Sequence, residues 1–473
     1  MLSRRLVRAC ILVAAALWAT LGGLSCTSIG PTKAPVVPSD NRPNVLLIYA
    51  DDLGYGELGC YGQTKIATPN LDALAAAGRR YTRAYTGAPV CAPARCMLLT
   101  GRAPLAAQIR DNVEVQPEGQ KPLAADTPNL ARSLRAAGYA TALYGKWGLG
   151  PVGSSGDPNA QGFEQFYGYA CQRHAHSHTP AWLWRNQTRE PLAPGTYAPD
   201  RFRDEALEFV RTRGERPFFL MYATTIPHMA MQVPEDSLAE YAGRYDETPY
   251  TGGRGYTPHP TPRAAYAAMI TRLDRDVGVL LDELRRRGEL ERTVVVFTSD
   301  NGPTHDVGGV DTEFFASAGG LRGRKGSLYE GGVRVPLLVA GPTWGLSDGP
   351  SVSDRHIANW DLANTLLDLC GQPRLPGEGE SFAPSLRGEP QKPRSPIVWD
   401  FPGYGGQQAV LMGEWKALRR GLGKTPDAPW ELYHLPTDPA EQTDLSAQHP
   451  DLIAEASRLG PDTPRQGHDT GND

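Results

Sequence analysis

The chain has 473 residues, with 48 Lys and Arg against 52 Asp and Glu, for a formal charge of −4. No polybasic run is present, which argues against a nucleic-acid groove, and past the N-terminus no run of about 18 apolar residues would build a polytopic membrane protein. At 40% hydrophobic and 21% charged residues, with 52 Gly and 42 Pro, the composition suits a loop-rich globular protein with a large core and a smaller satellite, and excludes collagen-like, coiled-coil and disordered chains.

Arg4, Arg5 and Arg8 precede an apolar stretch, Ala9 to Leu21, and small residues ending at Ser25-Cys26. That is the pattern of a cleaved export signal over residues 1–26, with a buried helix as the alternative. Leu24-Ser25-Cys26 resembles a bacterial lipobox, although Gly23 stands where such boxes usually carry an aliphatic residue. The expected location is periplasmic or secreted, and a lipid anchor at Cys26 is the one membrane attachment the sequence offers. Residues 27–42, rich in Pro, Ser and Thr, read as a tether. Five cysteines follow the signal (Cys60, Cys91, Cys96, Cys171 and Cys370), so at least one is unpaired.

From residue 43 to about 385, apolar runs alternate with helix-period segments. This predicts an α/β domain with a large, mostly parallel central sheet flanked by helices. Val45 to Tyr49 runs into Asp51-Asp52, and Leu71, Leu74 and Ala75 open a helix that stops at Gly78. Cys91-Ala92-Pro93-Ala94-Arg95 opens a second helical stretch, with Pro93 in the first turn and Gly101 as its stop. Ala140 to Tyr144 runs into Gly145-Lys146-Trp147, and Phe218 to Tyr222 is followed by Pro227-His228. A long helix carries Tyr266, Met269, Leu273, Val277, Leu280, Leu281 and Leu284 at three-to-four spacing and ends at Gly288. Thr293 to Phe297 ends in Ser299-Asp300-Asn301-Gly302, whereas Val335 to Ala340 follows Lys325 instead of leading into it. Residues 386–473 read as a smaller α+β subdomain of short strands and a final helix. Ligand sites in open parallel sheets lie beyond the carboxyl ends of the strands, so these distant polar segments are expected to converge.

Two successive acids at a strand end repel unless a cation neutralises them. Asp300-Asn301 repeats the arrangement, and the four residues together offer hard oxygen ligands suited to Ca²⁺ or Mg²⁺ and poor for zinc. Helix or turn capping is the alternative, and it explains one acid per site but not two oxygen-bearing residues at both. Cys91, at a helix N-terminus, allows three readings: a structural thiol, a thiolate nucleophile, or a residue converted after synthesis. Pairing with Cys96 is disfavoured, because five-residue spacing puts the two on different helix faces.

Cys91-Ala92-Pro93-Ala94-Arg95 with Leu98-Leu99-Thr100-Gly101-Arg102, the paired acids upstream and Asp300-Asn301-Gly302 downstream resemble the formylglycine-dependent sulfatases, of the alkaline phosphatase-like superfamily. The family pattern is Cys-x-Pro-x-Arg, usually with Ser where this chain has Ala94. The resemblance runs from Pro43 to Glu431-Leu432-Tyr433 and implies hydrolysis of sulfate monoesters, on a sulfated carbohydrate or another sulfate ester. It implies that a dedicated maturation enzyme oxidises Cys91 to formylglycine, an aldehyde whose hydrate attacks sulfur with one hydroxyl and ejects sulfate by losing the proton of the other. It further implies that Asp51, Asp52, Asp300 and Asn301, with an oxygen of modified Cys91, bind Ca²⁺, with Mg²⁺ as the lesser option. Arg95 would hold the formylglycine and screen the acids, Lys146 and Lys325 would bind sulfate, and His228 would reach the bridging oxygen as a general acid with Lys325.

One departure stands out. The family often reads Gly-Lys-Trp-His, and credits that histidine with deprotonating the diol; this chain has Gly148 there. His174 and His176, in Cys171-Gln172-Arg173-His174-Ala175-His176-Ser177-His178, are the candidate replacements. The run reads as a substrate-facing loop in which Arg173 grips a carboxylate or second sulfate, with a zinc site or a solvated loop as alternatives. Trp182, Trp184 and Arg185 offer a stacking platform for a sugar or simple core packing. The rival activities are a formylglycine-dependent phosphomonoester or phosphonate-ester hydrolase and a non-catalytic glycan-binding scaffold.

Overall fold

A computed structural model describes residues 42–253, 255–341 and 351–461. The expected export signal, its Cys26 and residues 27–41 of the tether lie outside the described residues. The large sheet contains strands β1 (Asn44–Ala50), β2 (Arg79–Tyr85), β3 (Ala140–Lys146), β4 (Gln165–Tyr169), β5 (Trp182–Arg185), β6 (Thr188–Pro191), β7 (Phe218–Ala223), β8 (Thr293–Ser299), β9 (Arg334–Ala340), β10 (Ser351–Ser353) and β11 (Ile357–Ala358). Their order is β10-β2-β9-β8-β1-β7-β3-β4-β5-β6, with β11 also on β2.

The run β8-β1-β7-β3-β4 is parallel throughout. Its strands read as unbroken apolar runs because both faces are covered. On β1, Leu46, Ile48 and Ala50 join one core layer and Val45, Leu47 and Tyr49 the other, and none is more than 1% exposed. The first layer is closed by helices α1 (Pro69–Ala77), α4 (Ala198–Thr212) and α5 (Pro262–Arg286). The second is closed by α2 (Cys91–Thr100), α3 (Leu130–Ala136) and α6 (Asp361–Leu369). Strand β9 runs antiparallel to both neighbours, β2 and β8. It therefore starts at the end of the sheet where the parallel strands finish, which is why Lys325 precedes its strand while the other polar segments follow theirs.

The C-terminal subdomain is an antiparallel meander of β12 (Ile397–Phe401), β13 (Gln407–Met412), β14 (Trp415–Arg420) and β15 (Glu431–His434), closed by α7 (Pro450–Leu459). Trp399 docks it: the buried indole lies 5.7 Å from the Tyr85 ring and donates Nε1–H to Thr86 O at 2.8 Å. The expected α/β architecture is the one adopted. No helix among the described residues is long and apolar enough to cross a membrane.

Candidate active site

Asp51 and Asp52 leave the end of β1, and Asp300 and Asn301 leave β8 beside it. The parallel register that pairs Ala50 with Ser299 makes the two acidic segments neighbours. Asp52 takes a left-handed backbone, φ 64°, and its N–H donates to Asp300 Oδ1 at 3.0 Å. Asn301 Nδ2 donates to Asp52 Oδ1 at 2.8 Å. All four side chains are fully buried.

Cys91 opens α2 as the motif predicts, and Gly101 ends it at φ 67°, donating its N–H to Met97 O. Every residue of this helix is buried. Cys91 Sγ lies 3.6 Å from Asp51 Oδ1 and 3.4 Å from Lys146 Nζ. Lys146, the last residue of β3, also donates to both oxygens of Asp51, at 3.0 and 2.7 Å. One turn along α2, Arg95 donates to Asp300 Oδ2 at 2.7 Å and to Lys146 O at 2.8 Å, with Asp51 at 3.4 Å. Lys325 Nζ reaches Asp52 Oδ2 at 3.3 Å and His228 Nε2 at 3.3 Å, and His228 Nδ1 lies 2.7 Å from Met229 O.

Burial opposes charge on Asp51, but the Lys146 ammonium and the Arg95 guanidinium overrule it and hold this carboxyl well below the usual range. Burial, then the Asp51 charge, push Asp300 up to about 7 despite Arg95. Burial likewise drives the Cys91 thiol far up. A thiol held protonated is a poor nucleophile, so the unmodified thiolate reading loses its support. Burial, with Lys146 and Lys325 nearby, depresses His228 well below its ordinary value, so the ring is neutral. Its Nδ1–H donates to the Met229 carbonyl, which leaves the Nε2 lone pair facing the Lys325 ammonium. The transferable proton of this pair therefore sits on Lys325.

The carboxylates fit a hard cation, and an oxygen carried by a converted residue 91 would join them. Asp51, Asp52, Cys91 and His228 bring ligand atoms within 4.8 Å of one another. Asn301 Oδ1 is buried without a hydrogen-bond partner among the described residues, as an oxygen reserved for an ion would be. Asp300, counted with the ligands from sequence, spends Oδ2 on Arg95.

The run 171–178 divides. His176 stands at the site, its ring 4.9 Å from His228. His174 does not: it packs 4.1 Å from the Trp182 ring in a separate 330 Å³ cavity lined by Glu114, Glu118, Cys171 and Arg189. Arg173 is 75% exposed and pairs with Glu114 at 2.5 Å, away from the catalytic cluster. The segment is a short turn, not a strand, and gathers no metal-binding group among the described residues. Trp182 and Trp184 stay half-buried under Arg189, 4.3 and 5.0 Å from their rings, while Arg185 is tied to Glu190 and Glu205.

Two features went unread in the sequence. Tyr404, between β12 and β13, lies against Gly326, next to Lys325, and meets His305 Nε2 at 3.2 Å. Gln172 packs its carboxamide over Gly148. Neither has a periodic or spacing signal, because each depends on a loop returning from elsewhere.

The sulfatase family model matches residues 43–372, which span every one of the clustered groups. The chain belongs to the sulfatase family. This sulfatase is 34% identical to human arylsulfatase A over 85% of its own length and 83% of that protein. It is 28% identical to the N-acetylgalactosamine-6-O-sulfatase of Bacteroides thetaiotaomicron, over 89% of the chain and 93% of that protein. Among solved structures it resembles Ps i-CgsB in complex with k-i-k-neocarrahexaose, at TM-score 0.74 and 27% identity over 88% of the chain and 91% of that one. The sulfatase is a sulfuric ester hydrolase, a member of the formylglycine-dependent sulfatase family, on an alkaline phosphatase-like fold.

Proposed function

We propose that this sulfatase removes sulfate from a sulfated saccharide, using formylglycine made from Cys91 and a Ca²⁺ ion held by Asp51, Asp52, Asp300 and Asn301. The observation that carries the reading is the setting of Cys91 Sγ, between Lys146 at 3.4 Å and Asp51 at 3.6 Å in a fully buried acidic ring. A hydrated formylglycine supplies a hydroxyl nucleophile and a second hydroxyl through which sulfate is later eliminated. The cation supplies charge that lowers the hydroxyl pKa and neutralises sulfate oxygens.

The chain's own residues do the rest. Lys146 and Lys325 bring two cations to the anionic ester. Lys325 passes its proton through His228 Nε2 toward the departing oxygen, and the Nδ1–H bond to Met229 O keeps the ring aimed. Arg95 ties Asp51 and Asp300 to the helix that carries residue 91. His176 borders the leaving-group side. A saccharide substrate is supported by the name of the N-acetylgalactosamine-6-O-sulfatase, by the neocarrahexaose complex of Ps i-CgsB, and by aromatic rings near the cluster: His176 beside His228, and Tyr404, stacked on His305, against Gly326 next to Lys325. Since α2 is buried throughout, a maturation enzyme has to reach Cys91 before the chain folds. Export to the periplasm or the medium suits a polymer-derived substrate.

The test is sulfate release from defined sulfated saccharides and from paired aryl sulfate and aryl phosphate esters, with mass spectrometry of the residue-91 peptide. Aldehyde at 91 and preference for sulfate are expected. Ordinary cysteine in active material, or preference for phosphate, overturns the reading.

A further inference from the structure

Gly148 lies two residues past β3 at φ 81°, and a side chain there would have to displace Gln172: a Cβ would stand 2.2 Å from Gln172 Nε2 and 3.3 Å from its Cδ. The next neighbour is Arg95 Cδ, at 4.0 Å. The backbone explains this approach. Trp147 N–H donates to Tyr169 O at 2.9 Å and Gly148 N–H to Ala170 O at 3.2 Å, so the chain leaving β4 stays alongside the chain leaving β3. Gln172 then extends its carboxamide into the volume that residue 148 leaves open, beside the Arg95 side chain and two residues from Lys146.

Gln172 is 6% exposed, yet neither Oε1 nor Nε2 has a hydrogen-bond partner among the described residues. The adjacent Arg95 Nε is unpartnered among them as well. Burying unmatched polar atoms is costly, and native proteins rarely do so without a reason. Here the unmatched carboxamide and the side chain of the arginine on the nucleophile's own helix approach the same point above Gly148, where a bound oxygen would satisfy them.

We propose that Gln172 is a positioning residue of the catalytic centre, its carboxamide hydrogen-bonding the oxygens carried by modified residue 91 and by the sulfate beside it. The proposal rests on the sulfatase reading above. A primary amide both donates and accepts and does not titrate, so it orients a hydroxyl without removing its proton. Gly148 and Gln172 form a matched pair: one gives up a side chain so that the other can enter.

The test uses the full chain, matured in its expression host, as wild type and Q172M. Met keeps the length of Gln and deletes both polar atoms. Expected for Q172M are an unchanged aldehyde content at residue 91 and a melting temperature at or above wild type. Its kcat on an aryl sulfate should fall at least tenfold, with KM changed less than threefold. An aminooxy probe should form its oxime at residue 91 severalfold faster, because the hydrated carbonyl has lost a hydrogen bond. A Q172M enzyme with kcat and oxime rate within twofold of wild type makes Gln172 mere filler and overturns the proposal. Failure of the underlying reading looks different: wild type itself would lack the aldehyde or release no sulfate.

Discussion

Lys416 Nζ lies 2.9 Å from Glu330 Oε1, with neither side chain exposed, and this pair joins the C-terminal meander to the segment that carries Lys325. Glu441 completes a triad at 3.1 Å and accepts the Glu330 N–H at 2.6 Å. Glu330 opens the turn into β9, five residues after Lys325, so the meander anchors a catalytic lysine at one remove. Removing one partner of a buried ionic group leaves an uncompensated charge. K416M should lower unfolding free energy by about 3–5 kcal/mol in denaturant titrations. A loss below about 1 kcal/mol would mean that water reaches the triad.

The same triad predicts a pH effect. Burial, against the pull of Lys416 and with the Glu330 charge adding to it, pushes Glu441 up to about 7 from an ordinary value of 4.5. A folded-state value above the unfolded one means that the native state holds the proton more tightly. The stabilising contribution is complete below about 4.5 and disappears as pH rises through about 7. E441Q mimics the protonated form and lacks this titration. Its melting temperature minus that of wild type should become more positive between about pH 5 and about pH 8. A flat difference would place Glu441 in the ordinary carboxylate range.

The central sheet was legible because its strands are buried on both faces. An unbroken apolar run such as Val45 to Tyr49, ending in Asp51-Asp52, fits a doubly covered strand that opens onto a polar site, and little else. The Cys91 helix was legible for a local reason: Pro93 and Gly101 fix its ends through their own backbone preferences. What spacing could not convey was direction within the 171–178 turn. His174 and His176 are two residues apart, yet one faces Trp182 and the other faces His228. Alternation in sequence assigns positions to the faces of a strand, but in a tight turn the direction depends on what packs outside it. Gln172 was missed for the same reason, since the hole above Gly148 exists only after β3 and β4 pair.

That split yields a kinetic contrast. H176A should reduce kcat/KM on a sulfated saccharide by about tenfold or more, because its ring borders His228 at 4.9 Å. H174A should remain within about twofold of wild type, on the scale of a residue outside the reacting geometry. Equal effects of the two substitutions, in either direction, would contradict the observed placement.

Chelation probes the acidic ring. Asp51, Asp52 and Asp300 are all fully buried, with Asp52 N–H on Asp300 and Asn301 Nδ2 on Asp52 holding them together. A cation that binds only the folded ring stabilises it by mass action. Treatment with a calcium-selective chelator should abolish turnover and lower the melting temperature, and added Ca²⁺ should restore both. Full activity after exhaustive chelation would remove the ion from the account.

The Lys325–His228 pair predicts a dependence on leaving group. His228 is neutral, its Nδ1–H engaged by Met229 O at 2.7 Å, and its Nε2 accepts from Lys325 at 3.3 Å. Proton delivery matters most when the departing alkoxide is strongly basic and least when it is a stabilised phenolate. H228A should therefore cost about 10²–10⁴-fold in kcat on a sugar sulfate, the usual range for a lost general acid. It should cost much less on an aryl sulfate with an acidic phenol. K325M should show the same trend, with KM also raised because Lys325 contributes charge to sulfate binding. A series of aryl sulfates of graded phenol pKa measures this directly, as a steeper dependence of log kcat/KM in both variants. Parallel lines for wild type and H228A would show that the proton comes from elsewhere, and would leave His228 only the task of orienting Lys325.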